Sequence, residues 1–308
     1  MNEPVIVTGA RSLVGHRLLP RLEAAGFQVQ ALSRRRGSGS GATHWLELDL
    51  AALAVCRDPV SLGLRPSVVL VHLAPLWLLP PVLPAFARLG VRRLVAFSST
   101  SRLTKAHARA AIDRRLAARL ARAEQEVIES SDANGIDWTL LRPTLIYGNV
   151  WEGGLGRLAR VAAACRFIPV VGEASGTRQP VHADDLATAC VAVLGQDVTF
   201  GQTYDLAGAT RVTHLELCRV VLQALGLPPR VVRVPASVAR GLLRVLRRVP
   251  RFSGISVGAA DRMNEDLCVD SSPAVADFGY SPRAFALDPV FPDTVGVSGT
   301  DASSGARA

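Results

Sequence analysis

Lysine and tyrosine are nearly absent from this chain. Of its 35 basic residues, Lys105 is the only lysine, and all the others are arginines. The three tyrosines are Tyr147, Tyr204 and Tyr280, so none precedes residue 147. A mechanism that needs a lysine amine therefore has to use Lys105, and a mechanism that needs a phenol in the first 146 residues is excluded.

Paired cysteines and long apolar segments are also missing. The five cysteines, at positions 56, 165, 190, 218 and 268, form no C-x-x-C pair and show no metal-ligand spacing. We therefore expect free thiols, no disulfide and no metal site, as in a reducing compartment. The most apolar stretch, residues 73–86, is too short to cross a bilayer and contains four prolines. Because no secretory h-region precedes the first apolar run, we expect a cytoplasmic protein.

The formal net charge of +9 raises the question of an acidic partner. The arginines are spread along the chain instead of being clustered, so we do not expect nucleic-acid binding. A hydrophobic content of 49% and a charged content of 20% are typical of a globular protein. The expected partner is therefore a small molecule.

The first half of the chain alternates strand-like and helix-like segments. This order predicts an α/β fold, a Rossmann doubly wound parallel sheet with crossover helices. Helices are predicted at residues 13–25, 78–89 and 106–131, the first two ending at glycines. Strands are predicted at residues 4–8, 28–33, 44–48, 68–73, 93–98 and 138–141.

The pattern changes after Tyr147. Thr213 and Glu216 form a capping-box pattern that opens an amphipathic helix, and strand-like runs at 203–206 and 231–234 indicate a smaller C-terminal substrate lobe. We divide the chain into a dinucleotide-binding core at 1–148, a substrate lobe interleaved with the last core elements at 149–291, and a disordered tail at 292–308.

A glycine turn follows the first predicted strand. Gly9 ends the strand and Gly15 lies on the first turn of the next helix. Such a turn lets backbone N–H groups approach a pyrophosphate, and the helix N-terminus adds favourable partial charge. The alternative is a tight turn that holds no ligand.

The end of the second predicted strand bears on the choice of cofactor. An acidic residue there would accept hydrogen bonds from a ribose 2′-hydroxyl, whereas an arginine would pair with a 2′-phosphate. Residues 32–36 read Leu-Ser-Arg-Arg-Arg and contain no carboxylate. We therefore favour NADP(H), with Ser33 and Arg34 as phosphate contacts. NAD(H) remains an alternative, as does a solvated basic loop.

Several segments occur in the order found in one known superfamily. The glycine turn spaced T-G-x-x-x-x-x-G is followed by residues 95–101 (VAFSSTS), 141–148 (LRPTLIYG), 176–185 (GTRQPVHADD) and 278–283 (FGYSPR). The chain thus resembles the short-chain dehydrogenase/reductase superfamily, in its extended or atypical NAD(P)-dependent epimerase/dehydratase branch. Ser12 replaces the middle glycine, where it either narrows the approach to the diphosphate or donates a hydroxyl to it.

The resemblance implies further site residues. Asp49 and Leu50 match the adenine contact, and Arg178 matches an arginine that binds the substrate diphosphate in sugar-nucleotide epimerases. For Arg178 a buried ion pair with Asp184 or Asp185 is an equal alternative, and His182 is interpreted as a residue that starts a helix. The full set of implied cofactor contacts is Thr8, Gly9, Ser12, Leu13, Val14, Gly15, Ser33, Arg34, Asp49, Leu50, Leu73, Ala74, Ser98, Pro143 and Thr144.

The family's catalytic pair is absent from this sequence. In the family a Tyr-x-x-x-Lys pair on one helix face exchanges a proton with the substrate, the lysine lowering the pKa of the tyrosine. Alignment on Glu124 places Leu116 and Leu120 at these positions, and Lys105 would need its tyrosine at Ser101. The leucines also fit an apolar stripe that packs against the core.

Two functions remain open at this point. The first is an epimerase/dehydratase or reductase acting on a nucleotide-sugar or a similar small polar substrate, with Ser99, Thr100, Lys105 or Tyr147 in place of the missing pair. The second is a catalytically degenerate NADP(H)-binding sensor or structural subunit. Lys105 is otherwise a solvated loop lysine, and Tyr147 is otherwise an aromatic residue of the pocket wall.

Residues 236–248 (ASVARGLLRVLRR) form a cationic amphipathic pattern. A helix of this kind lies on an anionic membrane surface, forms a subunit interface as in a homodimer, or packs its apolar face on the substrate lobe. The sequence leaves these alternatives open.

Overall fold

The computed structural model describes residues 3–35, 37, 41–235 and 262–287. The predicted basic helix at 236–248 and the predicted tail at 292–308 lie outside these residues. Within them, no helix is both long enough and apolar enough to cross a membrane.

The strands in the described residues include short pairs as well as members of a large sheet. In chain order they are β1 (Pro4–Thr8), β2 (Gln28–Ser33), β3 (His44–Glu47), β4 (Val69–His72), β5 (Arg93–Phe97), β6 (Asp137–Pro143), β7 (Ile146–Tyr147), β8 (Ile168–Val171), β9 (Thr177–Arg178), β10 (Val181–His182), β11 (Gln202–Leu206), β12 (Val212–Thr213) and β13 (Val231–Val234). The helices are α1 (Leu13–Ala24), α2 (Leu50–Ala54), α3 (Leu83–Arg88), α4 (Ser101–Thr104), α5 (Ala111–Ala133), α6 (Gly156–Cys165), α7 (Ala183–Leu194), α8 (His214–Ala224) and α9 (Ser272–Phe278).

The central sheet has seven parallel strands in the order β11-β6-β5-β4-β1-β2-β3. This order confirms the predicted doubly wound α/β fold. The chain builds outward from β1 to β3 and then returns to place β4 on the other side of β1. A crevice therefore opens between β1 and β4 at the carboxyl ends of the strands, where ligands bind in folds of this type.

Helices cover both faces of this sheet. All four residues of β4 and all five of β5 are buried, which explains why these strands are apolar along most of their length. One core cluster joins α1 and α7 to one face, and a second joins α3 and α5 to the other. The sheet is thus a rigid support for the loops at its carboxyl edge.

Two elements differ from their predictions. The predicted helix at 78–89 consists of two short 3-10 turns, Leu76–Leu78 and Pro80–Val82, followed by α3. Prolines cause this break, because each lacks the N–H that an uninterrupted α-helix would need. The predicted strand at 203–206 is β11, which extends the central sheet beside β6, whereas the predicted strand at 231–234 pairs with β8 in a different sheet.

A smaller unit packs around Tyr147, α6, β8 and α8 with its own apolar core. The predicted capping box starts α8: the Thr213 side chain accepts from the Glu216 N–H, and the Glu216 carboxylate accepts from the Thr213 N–H. The segment that follows α8 is attached to this unit, because its strand β13 pairs with β8.

Candidate functional site

The glycine turn joins β1 to α1 beside the crevice. Gly9 has a φ of +67°, and a Cβ atom there would lie 2.5 Å from the backbone nitrogen of Ala74. A Cβ atom on Gly15 would lie 2.3 Å from the carbonyl oxygen of Ala10. Both positions therefore require glycine, one for its conformation and both for close backbone packing. The turn has the shape of a phosphate cradle.

Ser12, which replaces the middle glycine, is the N-cap of α1. Its Oγ accepts a hydrogen bond from the Gly15 N–H at 3.1 Å. The oxygen is engaged at the helix start, while the hydroxyl hydrogen remains available to donate to a ligand. The geometry favours the second of the two roles that the sequence left open for Ser12.

A cavity of about 990 Å³ lies over the turn, and we call it the cofactor cavity. It brings together nine of the sequence-predicted cofactor contacts, from Thr8 to Ala74. Its lining residues are Thr8, Gly9, Arg11, Ser12, His16, Leu32, Ser33, Arg34, Arg35, Leu48, Asp49, Leu50, Leu73, Ala74, Pro75 and Leu78.

Sequence reasoning missed several residues of the cofactor cavity, most importantly Arg11, His16 and Arg35. A signal for Arg11 was present, because it lies inside the glycine turn itself. Arg34 and Arg35 are exposed at the end of β2, and the Ser33 hydroxyl accepts from the Arg35 N–H at 3.2 Å. The cavity wall is thus rich in cationic groups suited to phosphate oxygens.

Among the described residues that line the cofactor cavity, Asp49 is the one with a carboxylate. It is the N-cap of α2, where it accepts from the Ala51 N–H at 2.9 Å. The carboxylate is exposed and partly engaged in this cap. It follows β3, which pairs with β2, and it lines the same cavity as Ser33, Arg34 and Arg35.

A second cavity of about 500 Å³, the inner cavity, lies farther along the same edge of the sheet. The two cavities share Ser12, Leu73, Ala74 and Pro75. The inner cavity is lined by Ser12, Leu13, Val14, Leu73, Ala74, Pro75, Leu76, Trp77, Phe97, Ser98, Ser99, Ser101, Leu116, Leu120, Pro143, Ile146, Gly153 and Gly154.

Leu116 and Leu120 lie in the wall of the inner cavity. The two positions that the sequence alignment assigned to the missing catalytic pair therefore do face a cavity next to the cofactor turn. No residue among the described lining residues carries an acidic, basic, phenolic or thiol group. The polar groups on the described lining side chains are serine hydroxyls and the indole N–H of Trp77.

One of these serines is joined to a buried charge network. The Ser98 hydroxyl donates to Glu124 Oε1 at 2.6 Å, and Glu124 also accepts from Arg142 Nε at 2.9 Å and Nη2 at 2.6 Å. Arg102 Nε lies 2.7 Å from Glu124 Oε2. The network holds Ser98 at the cavity wall and keeps the Glu124 charge behind it.

The other predicted hydroxyls differ in position. Ser99 lines the inner cavity, and its Oγ accepts from the Ser101 N–H at 3.2 Å. Thr100 is buried outside both cavities and donates to the carbonyl oxygen of Pro143 at 3.2 Å. Thr144 also lies outside them and donates to the carbonyl oxygen of Gln179.

Lys105 lies outside both described cavities. Its Nζ is 3.7 Å from Asp113 Oδ1, and Asp113 also pairs with Arg262. Burial, together with the nearby positive charge of Arg262, lowers the pKa of the Lys105 ammonium. Lys105 is therefore partly buried and not directed at the inner cavity, and it belongs to a contact between α5 and the segment at residue 262.

Tyr147 is buried in the core of the smaller unit, with 1% of its surface exposed. Its ring meets His182 and Phe285 edge-on, with centroid distances of 5.0 and 5.1 Å. The neighbouring Ile146 lines the inner cavity, whereas Tyr147 does not. The structure therefore places this phenol behind the wall.

Arg178, the predicted substrate contact, lies outside both cavities and is 8% exposed. Its guanidinium donates to the carbonyl oxygens of Thr177 at 2.7 Å and Glu265 at 2.6 Å, and also to that of Arg262. Burial lowers the pKa of this guanidinium, and the charge of Arg262 lowers it further.

The alternative prediction for Arg178, an ion pair with Asp184 or Asp185, is wrong, because the described contacts of these carboxylates are with other arginines. Arg283 pairs with both carboxylates at 2.7 Å, and Arg21 adds a contact to Asp184 at 2.8 Å. His182 starts α7, as expected, with Nδ1 accepting from the Asp184 N–H at 3.2 Å.

The fold and the glycine turn at its switch point define a Rossmann-type α/β protein. Comparison with known proteins shows what the chain is similar to. Residues 81–207 match the NAD dependent epimerase/dehydratase family. The matched segment is less than half of the chain, and it agrees with the family resemblance that the sequence predicts.

Solved structures share this fold across nearly the whole chain. MoeE5 in complex with UDP-glucuronic acid and NAD has a TM-score of 0.68 at 18% identity, covering 92% of this chain and 94% of the other. A UDP-glucuronic acid 4-epimerase from Bacillus cereus, in complex with UDP-glucuronic acid and NAD, also has a TM-score of 0.68, at 16% identity, covering 92% of this chain and 95% of that one. At such identities the likeness shows the fold.

Sequence relatives match a smaller part of the chain. A mitochondrial protein of Arabidopsis thaliana named NADH dehydrogenase [ubiquinone] 1 alpha subcomplex subunit 9 is 30% identical over 105 residues, 34% of this chain and 26% of that protein. The chain spans 38% or less of the length of the curated relatives it matches.

Proposed function

We propose that this protein is a catalytically degenerate NADP(H)-binding protein, a sensor or a structural subunit. The cofactor would occupy the cofactor cavity, with its pyrophosphate at the turn between Gly9 and Gly15 and its nicotinamide end toward the inner cavity. The close backbone packing at both glycines supports this, because it leaves the turn without side chains that would block a diphosphate.

The observation that carries the proposal is the wall of the inner cavity. A proton transfer to or from a substrate needs a titratable group within hydrogen-bond reach. The described lining residues contain none, and leucines occupy positions 116 and 120. When bound, the nicotinamide supplies a hydride donor or acceptor, whereas the described lining residues supply shape, apolar contact and serine hydroxyls.

NADP(H) is preferred in this proposal because of the charges at the end of β2. Arg34 and Arg35 lie in the wall of the cofactor cavity together with Arg11. A guanidinium pairs well with a phosphate, and no carboxylate stands at the end of β2 to accept from a ribose hydroxyl.

Arg34→Glu tests this preference. We expect NADPH affinity to fall by about 10- to 100-fold, because a charge-assisted contact is replaced by repulsion, while NAD affinity changes by about twofold or less. Isothermal titration calorimetry with NADPH, NADP⁺ and NAD⁺ measures both. Arg57→Glu is the matched control, since it makes the same change in net charge at an exposed arginine that lines neither cavity. An equal loss for NAD⁺ would contradict the assignment.

A second candidate function has one observation in its favour. Ser98, Ser99 and Ser101 line one side of the inner cavity, where a hydroxyl is able to orient a substrate carbonyl or hydroxyl. The structural neighbours were solved with UDP-glucuronic acid and NAD. The candidate is an epimerase/dehydratase or reductase of nucleotide-sugars with unusual proton-transfer groups.

Turnover separates the two functions. The binding function predicts NADPH binding with no conversion of UDP-glucuronic acid or UDP-glucose and no change in NADPH absorbance. If conversion is seen, Lys105→Ala and Tyr147→Phe show whether the residues assigned from the sequence take part. Undiminished rates in both variants would remove those two residues from the mechanism and leave the serines.

A further inference from the structure

The inner cavity has an apolar wall on most of its sides. Leu116 and Leu120 project from α5, Phe97 ends β5, and Trp77 follows β4 in the proline-rich segment. At 500 Å³ the cavity falls within the range of about 300–1,000 Å³ that holds small organic ligands. It is a candidate site for a ligand other than the cofactor.

Trp77 is held in place from outside the cavity. The guanidinium carbon of Arg119 lies 3.9 Å from the centroid of the Trp77 ring. Arg119 is not among the residues that line the cavity. The cation thus steadies the indole through a cation–π contact and adds no charge to the described wall.

Three of the four serines in the wall, Ser98, Ser99 and Ser101, belong to the segment that follows β5 and are partly engaged, whereas Ser12 belongs to the cofactor turn. The Ser98 hydroxyl hydrogen is donated to Glu124, and the Ser99 oxygen accepts from the Ser101 N–H. A sugar ring carries several hydroxyls, and each one left without a partner in an apolar site weakens binding. A ligand with one polar end and an apolar body matches this arrangement better.

We infer that the inner cavity binds an uncharged, mostly apolar small molecule whose single polar end contacts the row Ser98, Ser99 and Ser101. The apolar body lies against Leu116, Leu120 and Phe97. This inference rests on the proposed function, because the ligand would lie beside the nicotinamide end of the bound cofactor. The inferred ligand of the inner cavity thus belongs to a different chemical class from a nucleotide-sugar.

Prodan, an uncharged naphthalene ketone whose emission shifts to the blue in apolar surroundings, is a suitable probe. We expect saturable binding to the protein in saturating NADP⁺, and Leu116→Gln should weaken it by about tenfold because a polar amide replaces apolar contact area. Leu116→Met should retain it. Ile112→Gln is the matched control on the same helix, since Ile112 is 63% exposed and lies outside the described cavity wall.

The competing results are distinct. Equal prodan affinity in wild type and Leu116→Gln, or displacement of prodan by UDP-glucuronic acid, would overturn the inference. Calorimetric NADP⁺ binding without prodan binding would overturn the inference alone and leave the cofactor function intact. Leu116-dependent prodan binding without NADP⁺ binding would support the apolar site and contradict the cofactor function. Urea unfolding of each variant confirms that it is folded.

Discussion

Replacing Glu124 with alanine is expected to lower the free energy of unfolding by about 3–5 kcal/mol. The Glu124 side chain is 3% exposed and accepts a two-pronged contact from Arg142, whose side chain is 15% exposed. Removing the carboxylate leaves the Arg142 cation without its buried partner and removes the acceptor of the Ser98 hydroxyl. Arg102 contributes less, because 32% of its side chain is exposed and water replaces part of the contact.

Urea unfolding followed by circular dichroism measures this loss. Glu126→Ala is the control on the same helix, because Glu126 is exposed. Glu124→Gln should fall between the two, since an amide keeps an acceptor for Ser98 but loses the charge. Unfolding midpoints for Glu124→Ala and Glu126→Ala that agree within error would show that the network adds no stability.

The parts of the fold that sequence predicts well are those specified by local pattern. β1 and β2 have the predicted bounds. β1 is an apolar run that ends before Gly9, and β2, which also contains Gln28 and Gln30, starts shortly after Gly26 and ends before the arginines at 34 and 35. The glycine turn was predictable for a similar reason: Gly9 and Gly15 meet steric demands that no other residue satisfies. The cofactor cavity follows from these elements.

The side-chain positions in the rest of the site depend on contacts between distant residues. Arg178 faces the carbonyl oxygens of Arg262 and Glu265, more than eighty positions away. Lys105 meets Asp113, which is itself paired with Arg262. No local pattern signals that residues 262–266 cover these two basic groups, so motif matching could name the residues but not their surroundings.

The absence of a Tyr-Lys pair was visible in composition, but its consequence was not. Helical spacing alone made Leu116 and Leu120 equally compatible with core packing. The structure places both in the wall of the inner cavity, because the turn of α5 that carries them lies beside the carboxyl end of β5. The apolar character of this wall restricts the chemistry of a ligand that binds there, and helical spacing alone could not predict it.

Acidification from about pH 7 to pH 5 is expected to destabilise the protein, partly through His72. The ring is fully buried at the end of β4, and burial lowers the pKa of His72 from 6.5 to about 4. Between these values the unfolded chain binds a proton that the folded chain does not, so the free energy of unfolding falls as pH falls. The expected loss at pH 5 is about 2 kcal/mol from this group.

His214 adds to the same trend, because burial lowers its pKa to about 4 as well. His72→Gln should therefore reduce the number of protons taken up on unfolding by about one, and part of the pH dependence of the free energy of unfolding should remain. Urea unfolding at a series of pH values measures the slope. His107→Gln is the control, since it makes the same substitution at an exposed histidine. A His72→Gln slope equal to that of the wild type would contradict the argument.

The position of His72 links this acid sensitivity to the cofactor cavity. His72 Nδ1 and Thr8 Oγ1 are 2.7 Å apart, and these residues are paired as the last positions of β4 and β1 on either side of the crevice. A protonated ring carries hydrogen on both nitrogens and cannot accept from the Thr8 hydroxyl. Thr8 lines the cofactor cavity, so NADPH affinity measured by calorimetry should weaken in wild type as the pH falls toward about 4, where the ring of the folded protein itself gains a proton because burial lowers the pKa of His72 to about 4. In His72→Gln this added pH dependence of NADPH affinity should disappear. If NADPH affinity depends on pH in the same way in both proteins, His72 does not influence the cofactor cavity.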